Sequence, residues 1–288
     1  MDNSKIPLSI ITINYNDSKG LSETIKSVVG QSYKDIEYIV IDGGSTDGSK
    51  EVIRNYEKYI NYWVSEPDTG IYNAMNKGIR ASQGEYLLFL NSGDVLHSDD
   101  VIENVVPALG NHDMVIGKVL FENSGQTNEL PEELTLLRFY HGSVPHPSTF
   151  IRRTIMLEHM FDERLRIVSD WRFFIQTLII GNASYSHLNL IITDFDTSGI
   201  SATNKVLVER ERDQVLKELF PERIRKDYLH FIYGNEYTDD DYDRFFRRIK
   251  DFTYGKWVYK VAVLSLRFIS LFRKNLRFAS EFPINRSN

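Results

Sequence analysis

The chain has 288 residues, 42% hydrophobic and 26% charged, with a net charge of −6. That is enough apolar material for a sizeable core, and it argues against a nucleic-acid-binding body. The absence of cysteine excludes disulfides and thiolate metal sites. No window reaches the roughly 18 uninterrupted apolar residues of a membrane span, and the start carries no signal-peptide pattern. The expected location is the cytoplasm.

In chain order, Leu8–Ile13 is a β-branched run ending in Asn14-Tyr15-Asn16-Asp17. A helical pattern follows, with Leu21, Ile25, Val28 and Val29 on one face. Ile36–Ile41 reads as a second strand, ending in Asp42-Gly43-Gly44-Ser45-Thr46-Asp47-Gly48, and a helix is expected from about Gly48 to Tyr59. Tyr62–Ser65 is a brief strand, followed by Glu66-Pro67-Asp68-Thr69-Gly70 and a helix over 71–81. Tyr86–Leu90 is a wholly apolar run, as in a strand buried on both faces, and it stops in Asn91-Ser92-Gly93-Asp94. This alternation predicts an α/β fold with a mostly parallel sheet flanked by crossover helices. Its polar strand ends should gather along one edge, where such sheets bind ligands. Further on, a helix over 100–109, a strand over 113–121, a loop entering a strand over 141–150, a helix opening at Asp170 and a strand over 191–195 are expected. A domain boundary falls near 200–205, giving an α/β domain over 1–204 and a helical extension over 205–288.

Each motif has a plain structural reading beside the functional one. Asp94 either caps the next helix or holds a divalent cation against a diphosphate. Asp42 either braces a Gly-rich turn or accepts hydrogen bonds from a base or ribose, the glycines admitting a ligand close to the backbone. Asp68 is an N-cap or a ligand contact, and Asn73, Asn76 and Lys77 make a polar helix face.

Taken together, Ser9-Ile10-Ile11-Thr12, Asn14-Tyr15-Asn16, Asp42–Gly48, Asp68-x-Gly70-Ile-Tyr72-x-Ala74-Met-Asn76-Lys-Gly78 and Leu90-Asn91-Ser92-Gly93-Asp94 resemble a family 2 glycosyltransferase of GT-A fold, over about residues 6–200. The resemblance implies transfer of a sugar, with inversion, from a nucleotide-sugar donor (a UDP-sugar by default), usually with Mg²⁺ or Mn²⁺. By position it puts Thr12, Asn14 and Asn16 in the nucleotide pocket and Asp42 on the uracil or ribose. Asp68 and Asn76 would lie near base, ribose and sugar, and Ser92 and Asp94 at the diphosphate, with Asp94 on the metal. It also implies bacterial capsule, exopolysaccharide or lipopolysaccharide synthesis, with a saccharide or lipid-linked acceptor. Many relatives carry paired aspartates where Ser92 and Gly93 precede the single Asp94; one carboxylate suffices for Mg²⁺ when phosphate and water complete the shell.

Inverting transfer needs a carboxylate to take the acceptor proton. Asp170, in Val168-Ser169-Asp170-Trp171, occupies the place where the family carries its acid; Asp162 and Glu163 are weaker candidates. His146 and Trp171 are the expected substrate contacts. His187 is expected to be structural, Ser198-Gly199-Ile200-Ser201 resembles a segment that folds over the diphosphate in relatives, and Arg210 and Arg212 either assist the leaving group or face solvent.

The charge is uneven. Residues 205–288 hold 18 Lys and Arg against 13 Asp and Glu, and from Arg244 onward there are 11 basic residues and only two acidic ones, Asp251 and Glu281. Over 256–278 the cations interleave with Trp257, Phe268 and Phe272, and Lys256, Lys260, Arg267 and Lys274 fall within about 40° on a helical wheel. Such a stripe predicts a peripheral membrane-surface helix; packing on protein, including a second copy, is the alternative. Nucleic acid is not an expected partner. The rival to an enzyme is a catalytically degenerate nucleotide-sugar-binding scaffold.

Overall fold

The computed structural model describes residues 8–129, 131–196 and 204–233. The chain divides into two compact units, one reaching Pro221 and one starting at Glu222.

The first unit is built on a nine-stranded sheet. β1 (Leu8–Asn14) is buried along its whole length. β2 (Ile36–Asp42) and β4 (Tyr86–Phe89) flank it in parallel, and β3 (Tyr62–Ser65) adds to β2, also in parallel. These are the apolar, β-branched runs of the sequence, as a sheet covered on both faces requires. The crossovers are α1 (Ser18–Val29), α2 (Ser49–Tyr56) and α3 (Ile71–Ala81). α1 buries Leu21, Ile25 and Val28 as a stripe, and Asp17 caps it by accepting from the Gly20 N–H at 3.0 Å. The expected helix to Tyr59 ends its α-helical part at Tyr56 and finishes as a 3₁₀ turn over Glu57–Tyr59.

The second half of the sheet is mixed. It comprises β5 (Val95–Leu96), β6 (Met114–Phe121), β7 (Gln126–Thr127), β8 (Thr149–Arg152) and β9 (Tyr185–Phe195). The order is β3-β2-β1-β4-β8-β6-β9-β5, with β7 paired to β6. β8 runs antiparallel to both β4 and β6, whereas β9 is parallel to β6. β9 therefore runs in the direction of β1 and β4. It starts at Tyr185, six residues before the apolar run that the sequence shows. Its first half is partly exposed, and it follows β6 only through a register shift between Ile116 and Val119, so it has no unbroken apolar signature. The remaining helices are α4 (Val101–Val105), α5 (Leu136–His141), α6 (Arg153–Glu158), α7 (Ser169–Phe174) and α8 (Lys205–Leu219). α5 and α6 are six residues each, too short to display a helical period. α7 continues as a π-helical turn over Ile175–Ile180.

Two features of this topology place the site. The strand order reverses between β1 and β4, which opens a crevice at the carboxyl ends of the strands. Because β8 is antiparallel, the loop leading into it (His146-Pro147-Ser148) arrives at that same edge. An aromatic cluster ties the walls together, with Phe161 against Tyr72 of α3, Phe89 of β4 and Phe173 of α7 at 5.4, 5.6 and 5.6 Å between ring centroids. In the second unit, Glu222–Tyr233 forms α9. The basic stripe over 256–278 and the Ser198–Ser201 segment lie outside the described residues.

Candidate active site

At the crevice's first wall, β1, β2 and β3 end level, with Asn14 paired to Asp42 and Asp42 to Ser65. Asp42 is fully buried. Its Oδ1 accepts from Asn14 Nδ2 (2.7 Å) and Ser45 Oγ (2.5 Å), and its Oδ2 from the Ser45 N–H (3.0 Å) and the Ser65 hydroxyl. Burial opposes its charge, but bonds from Ser45, Ser65 and Asn14 prevail and hold the carboxyl below its usual range. A carboxylate offers about four lone-pair directions, so these four bonds brace the turn, and a base or ribose would reach Asp42 by displacing one of them.

Three further residues assigned to ligand contact from the sequence also point inward. Thr12 is buried with its hydroxyl 3.1 Å from that of Tyr38. Asn76 is buried; its Nδ2 donates to Phe161 O (2.9 Å) and Glu163 Oε1 (2.8 Å), and its Oδ1 accepts from the Phe161 N–H (3.0 Å). It staples the 161–163 segment to α3. Trp171 is 2% exposed and its indole N–H donates to the carbonyls of Phe139 and Gly142 at 2.9 and 3.0 Å. It has no polar atom or open face for a substrate.

What remains open on this wall is a cradle made by Tyr15, Gly43 and Asp68. Tyr15 is 67% exposed. A methyl group on Gly43 would lie 2.5 Å from Asp68 Oδ2 and 3.1 Å from the Tyr15 ring, so only glycine admits both. Asp68 Oδ1 accepts from the Gly70 N–H (3.0 Å). Asn16, exposed and at φ 52°, accepts from the Thr46 N–H (2.9 Å), while its own N–H donates to Ser45 Oγ (2.8 Å). Asn14 Oδ1 is buried with no donor.

Past β4 the chain turns through Ser92, whose N–H donates to Ile13 O (3.0 Å), and Gly93 at φ +98°, a conformation that glycine adopts freely. Asp94 follows, 2% exposed. Its Oδ2 accepts from the Asn91 N–H (3.0 Å) and its carboxylate from the Asp196 N–H. Burial pushes its carboxyl up to about 7 despite the nearby His146. Asp196, just beyond β9, packs its carboxylate against Gly93.

Opposite this turn stands Asp170 in the first turn of α7. Its Oδ2 faces His146 Nδ1 at 3.2 Å, and its Oδ1 receives the Tyr72 hydroxyl at 3.0 Å. Asn91 Nδ2 lies 3.3 Å from His146 Nε2, so the imidazole bridges the Asn91–Asp94 turn to Asp170. The side chains of His146 and Asp170 are 16% and 19% exposed, buried yet reachable. Burial works against both charges, but each outweighs it for the other: His146 is raised above 6.5, with Asp94 adding to the effect, and Asp170 is held below the usual carboxylate range. Asp170 is thus ionised at neutral pH. The weaker base candidates are engaged elsewhere, Asp162 with Arg164 (2.7 Å) and Arg172 (3.7 Å), and Glu163 with Asn73 and Asn76 (both 2.8 Å). Arg210 is exposed. Arg212 instead stacks over Trp171 at 5.0 Å, its charge adjoining Asp170.

Among the described residues no group of three or more His, Asp or Glu is arranged to hold a metal ion. The oxygen donors nonetheless suit a hard cation. Asp94 is a buried carboxylate whose charge desolvation opposes more than His146 supports it, Asp196 lies beside its turn, and Asn91 Oδ1 is buried without a donor. Phosphate oxygens and water would have to complete the shell.

Sequence reading passed over Tyr15, Tyr72, Asn91 and Asp196 as individual site residues. Asp196 obeys the strand-end rule that found Asp94, and it was available from the Ile191–Phe195 run. Tyr72 stands in one of the family motifs, but its pairing with Asp170, 98 residues away, carried no signal.

A family model described as glycosyl transferase family 2 matches residues 9–171. An uncharacterized glycosyltransferase of Mycobacterium tuberculosis is 33% identical over 215 residues, 68% of this chain and 77% of that protein. A PGL/p-HBAD biosynthesis glycosyltransferase of Mycobacterium bovis is 26% identical, covering 70% of this chain and 81% of its own. Among solved structures, S. aureus TarS 1–349 in complex with UDP-GlcNAc superposes with a TM-score of 0.59 at 19% identity, over 86% of this chain and 81% of that one. The mannosyltransferase PcManGT from Pyrobaculum calidifontis, in complex with GDP-Man and Mn²⁺, gives 0.57 at 12% identity, over 93% and 88%. With its crevice at the β1–β4 reversal and this extent of likeness, the chain belongs to glycosyltransferase family 2, an enzyme of GT-A fold.

Proposed function

We propose that the enzyme transfers a sugar, with inversion, from a nucleotide diphosphate sugar to a hydroxyl of a saccharide or lipid-linked saccharide in cell-surface polysaccharide synthesis. A UDP-sugar is the favoured donor. Tyr15 and Asp68 receive the nucleoside beside the Gly43–Gly44 turn. Asp94, with Asp196 beside its turn, would hold a Mg²⁺ or Mn²⁺ ion, which when bound would neutralise charge on the departing diphosphate. Asp170 is the base.

The observation that carries this reading is the pairing of Asp170 with the Asp94 turn through His146. It sets an ionised carboxylate across the crevice from the expected diphosphate place. As the acceptor oxygen bonds to the anomeric carbon, the bond to the diphosphate oxygen breaks, its electron pair leaving with the nucleotide. The acceptor proton passes to Asp170. A carboxylate of depressed pKa is a weak base, so the proton moves late, once C–O bond formation has made the hydroxyl acidic. His146 keeps Asp170 charged until then.

The donors named for the neighbouring structures, UDP-GlcNAc and GDP-Man, supply the first test. Wild-type enzyme should release UDP or GDP slowly from one of them, using water as acceptor, and Asp170→Asn should do so about 10²–10⁴-fold more slowly still. Equal release by both proteins would refute the assignment. We also propose a peripheral position at the cytoplasmic membrane face through residues 256–278; among the described residues no helix is long and apolar enough to cross a membrane. Equal flotation of full chain and a 1–250 truncation with anionic liposomes would remove that proposal.

A further inference from the structure

Glu211 is a buried acid that the reaction as outlined does not use. It sits on α8, at 6% exposure, and among the described residues its partners are three successive main-chain amides. Oε1 accepts from the Arg166 N–H at 2.8 Å, and Oε2 from those of Ile167 and Val168 at 3.0 and 3.3 Å. Three consecutive amides converging on one carboxylate form an anion nest, here filled by the protein itself. The next two residues are Ser169 and Asp170.

The arrangement reaches Asp170 by a second route. The peptide unit joining Ile167 and Val168 gives its N–H to Glu211 and its carbonyl to the Tyr72 hydroxyl, at 2.5 Å. That hydroxyl is also 3.0 Å from Asp170 Oδ1. Tyr72 has one proton for two acceptors. Fixing the 167–168 peptide therefore decides how much of that proton Asp170 receives.

We propose that Glu211 is a positioning residue for Asp170: by gathering the amides of 166–168 it sets the turn from which α7 presents the base, and it holds the carbonyl that shares the Tyr72 hydroxyl. α8 thereby belongs to the catalytic apparatus although none of its carboxylates touches substrate. The proposal rests on Asp170 being the base. Groups facing Asp170 are His146 from the β8 lead-in, Tyr72 from α3 and Arg212 from α8, with Asp94 beyond His146. Glu211 touches the second of these through the peptide alone.

The test is a double-mutant cycle on hydrolysis of UDP-GlcNAc or GDP-Man, with wild type, Glu211→Gln, Asp170→Asn and the double variant, all assayed below their melting temperatures. Gln keeps the length and one acceptor oxygen but turns an N–H₂ toward the amides. We expect Glu211→Gln to lower kcat about tenfold (an effect of order 1.4 kcal/mol) with donor KM little changed, and to cost nothing further once Asp170 is Asn. The same factor in both backgrounds, or a change confined to the melting temperature, would overturn the proposal. Full activity of Asp170→Asn alone would instead strike down the base assignment, and this proposal with it. Should Glu211→Gln not fold, Glu211→Asp, which keeps the charge on a shorter arm, serves in the cycle with the same expectation. Amide hydrogen exchange gives a reading that needs no substrate. It should quicken at Arg166–Val168 in the Gln variant while the β-sheet amides keep their protection; unchanged exchange there would contradict the proposal.

Discussion

At the end of β2 the Asp42 carboxylate is buried and receives four hydrogen bonds, two to each oxygen. At the end of β4 the Asp94 carboxylate is equally buried but receives main-chain bonds only, and its proton affinity climbs to about 7. The two aspartates follow strands of the same sheet and look alike in sequence, each opening or closing a Gly-containing turn. Their surroundings separate them. A buried acid with its lone pairs filled braces the structure, whereas on the proposed function Asp94, whose charge burial still opposes despite His146, is where a cation would bind. Asn76 and Trp171 fall with Asp42; His146 and Asp170, which charge each other, fall with Asp94.

The sharpest way to break this division is at Asp170. Asp170→Asn should lower kcat by about 10²–10⁴, the usual worth of a general base, while nucleotide affinity stays near wild type. Steady-state kinetics with titration of UDP or GDP reads both. Asp94→Ala should remove the stabilisation by nucleotide that depends on Mn²⁺, about 2.7 kcal/mol at 100 times Kd, and leave the unliganded protein at least as stable.

Asp94 also predicts a pH dependence. Its folded pKa of about 7 lies above the unfolded 3.8, so its contribution to stability is full below about 3.8 and is lost as pH rises through about 7. A cation takes the place of that proton. Mn²⁺ affinity should therefore rise with pH up to about 7 and then level, with proton release on binding near pH 6. Calorimetry in buffers of different ionisation enthalpy detects it; an affinity flat from pH 5.5 to 8 would count against Asp94 as the ligand.

Smaller effects test the scaffolding side. Asp42→Asn and Asn76→Leu should each cost about 1–3 kcal/mol of stability by leaving buried donors or acceptors unpaired, with donor KM little changed at temperatures where the protein is folded. Chemical denaturation with parallel kinetics separates the two quantities. Smallest of all, Asp68→Asn should raise donor KM about fivefold, an effect of order 1 kcal/mol, at constant kcat. A reversal, with Asp42→Asn moving KM and Asp68→Asn moving stability, would invert the division drawn between the two groups.

The first four strands were legible because each is a short apolar run closed by a polar turn, and that pattern also marked the edge carrying the site. The 71–81 helix was legible from its period. Residue roles within the edge were not. Thr12, Asp42 and Asn76 carry the composition of a ligand pocket, but hydrogen bonds to Tyr38, Ser45, Ser65 and the 161–163 segment consume them, and such partners are set by tertiary contact. Asp196 was within reach of the strand-end rule. Glu211 was not, since its meaning lies in amides 43–45 positions away, and charged helix positions ordinarily face water.

One set of melts tests the central claim, that the Asp94 turn binds metal and diphosphate while Asp170 only does chemistry. Wild type, Asp94→Ala and Asp170→Asn are melted with UDP or GDP, with and without Mn²⁺. Wild type and Asp170→Asn should show the same Mn²⁺-dependent shift, and Asp94→Ala none. A shift kept by Asp94→Ala and lost by Asp170→Asn would contradict that claim.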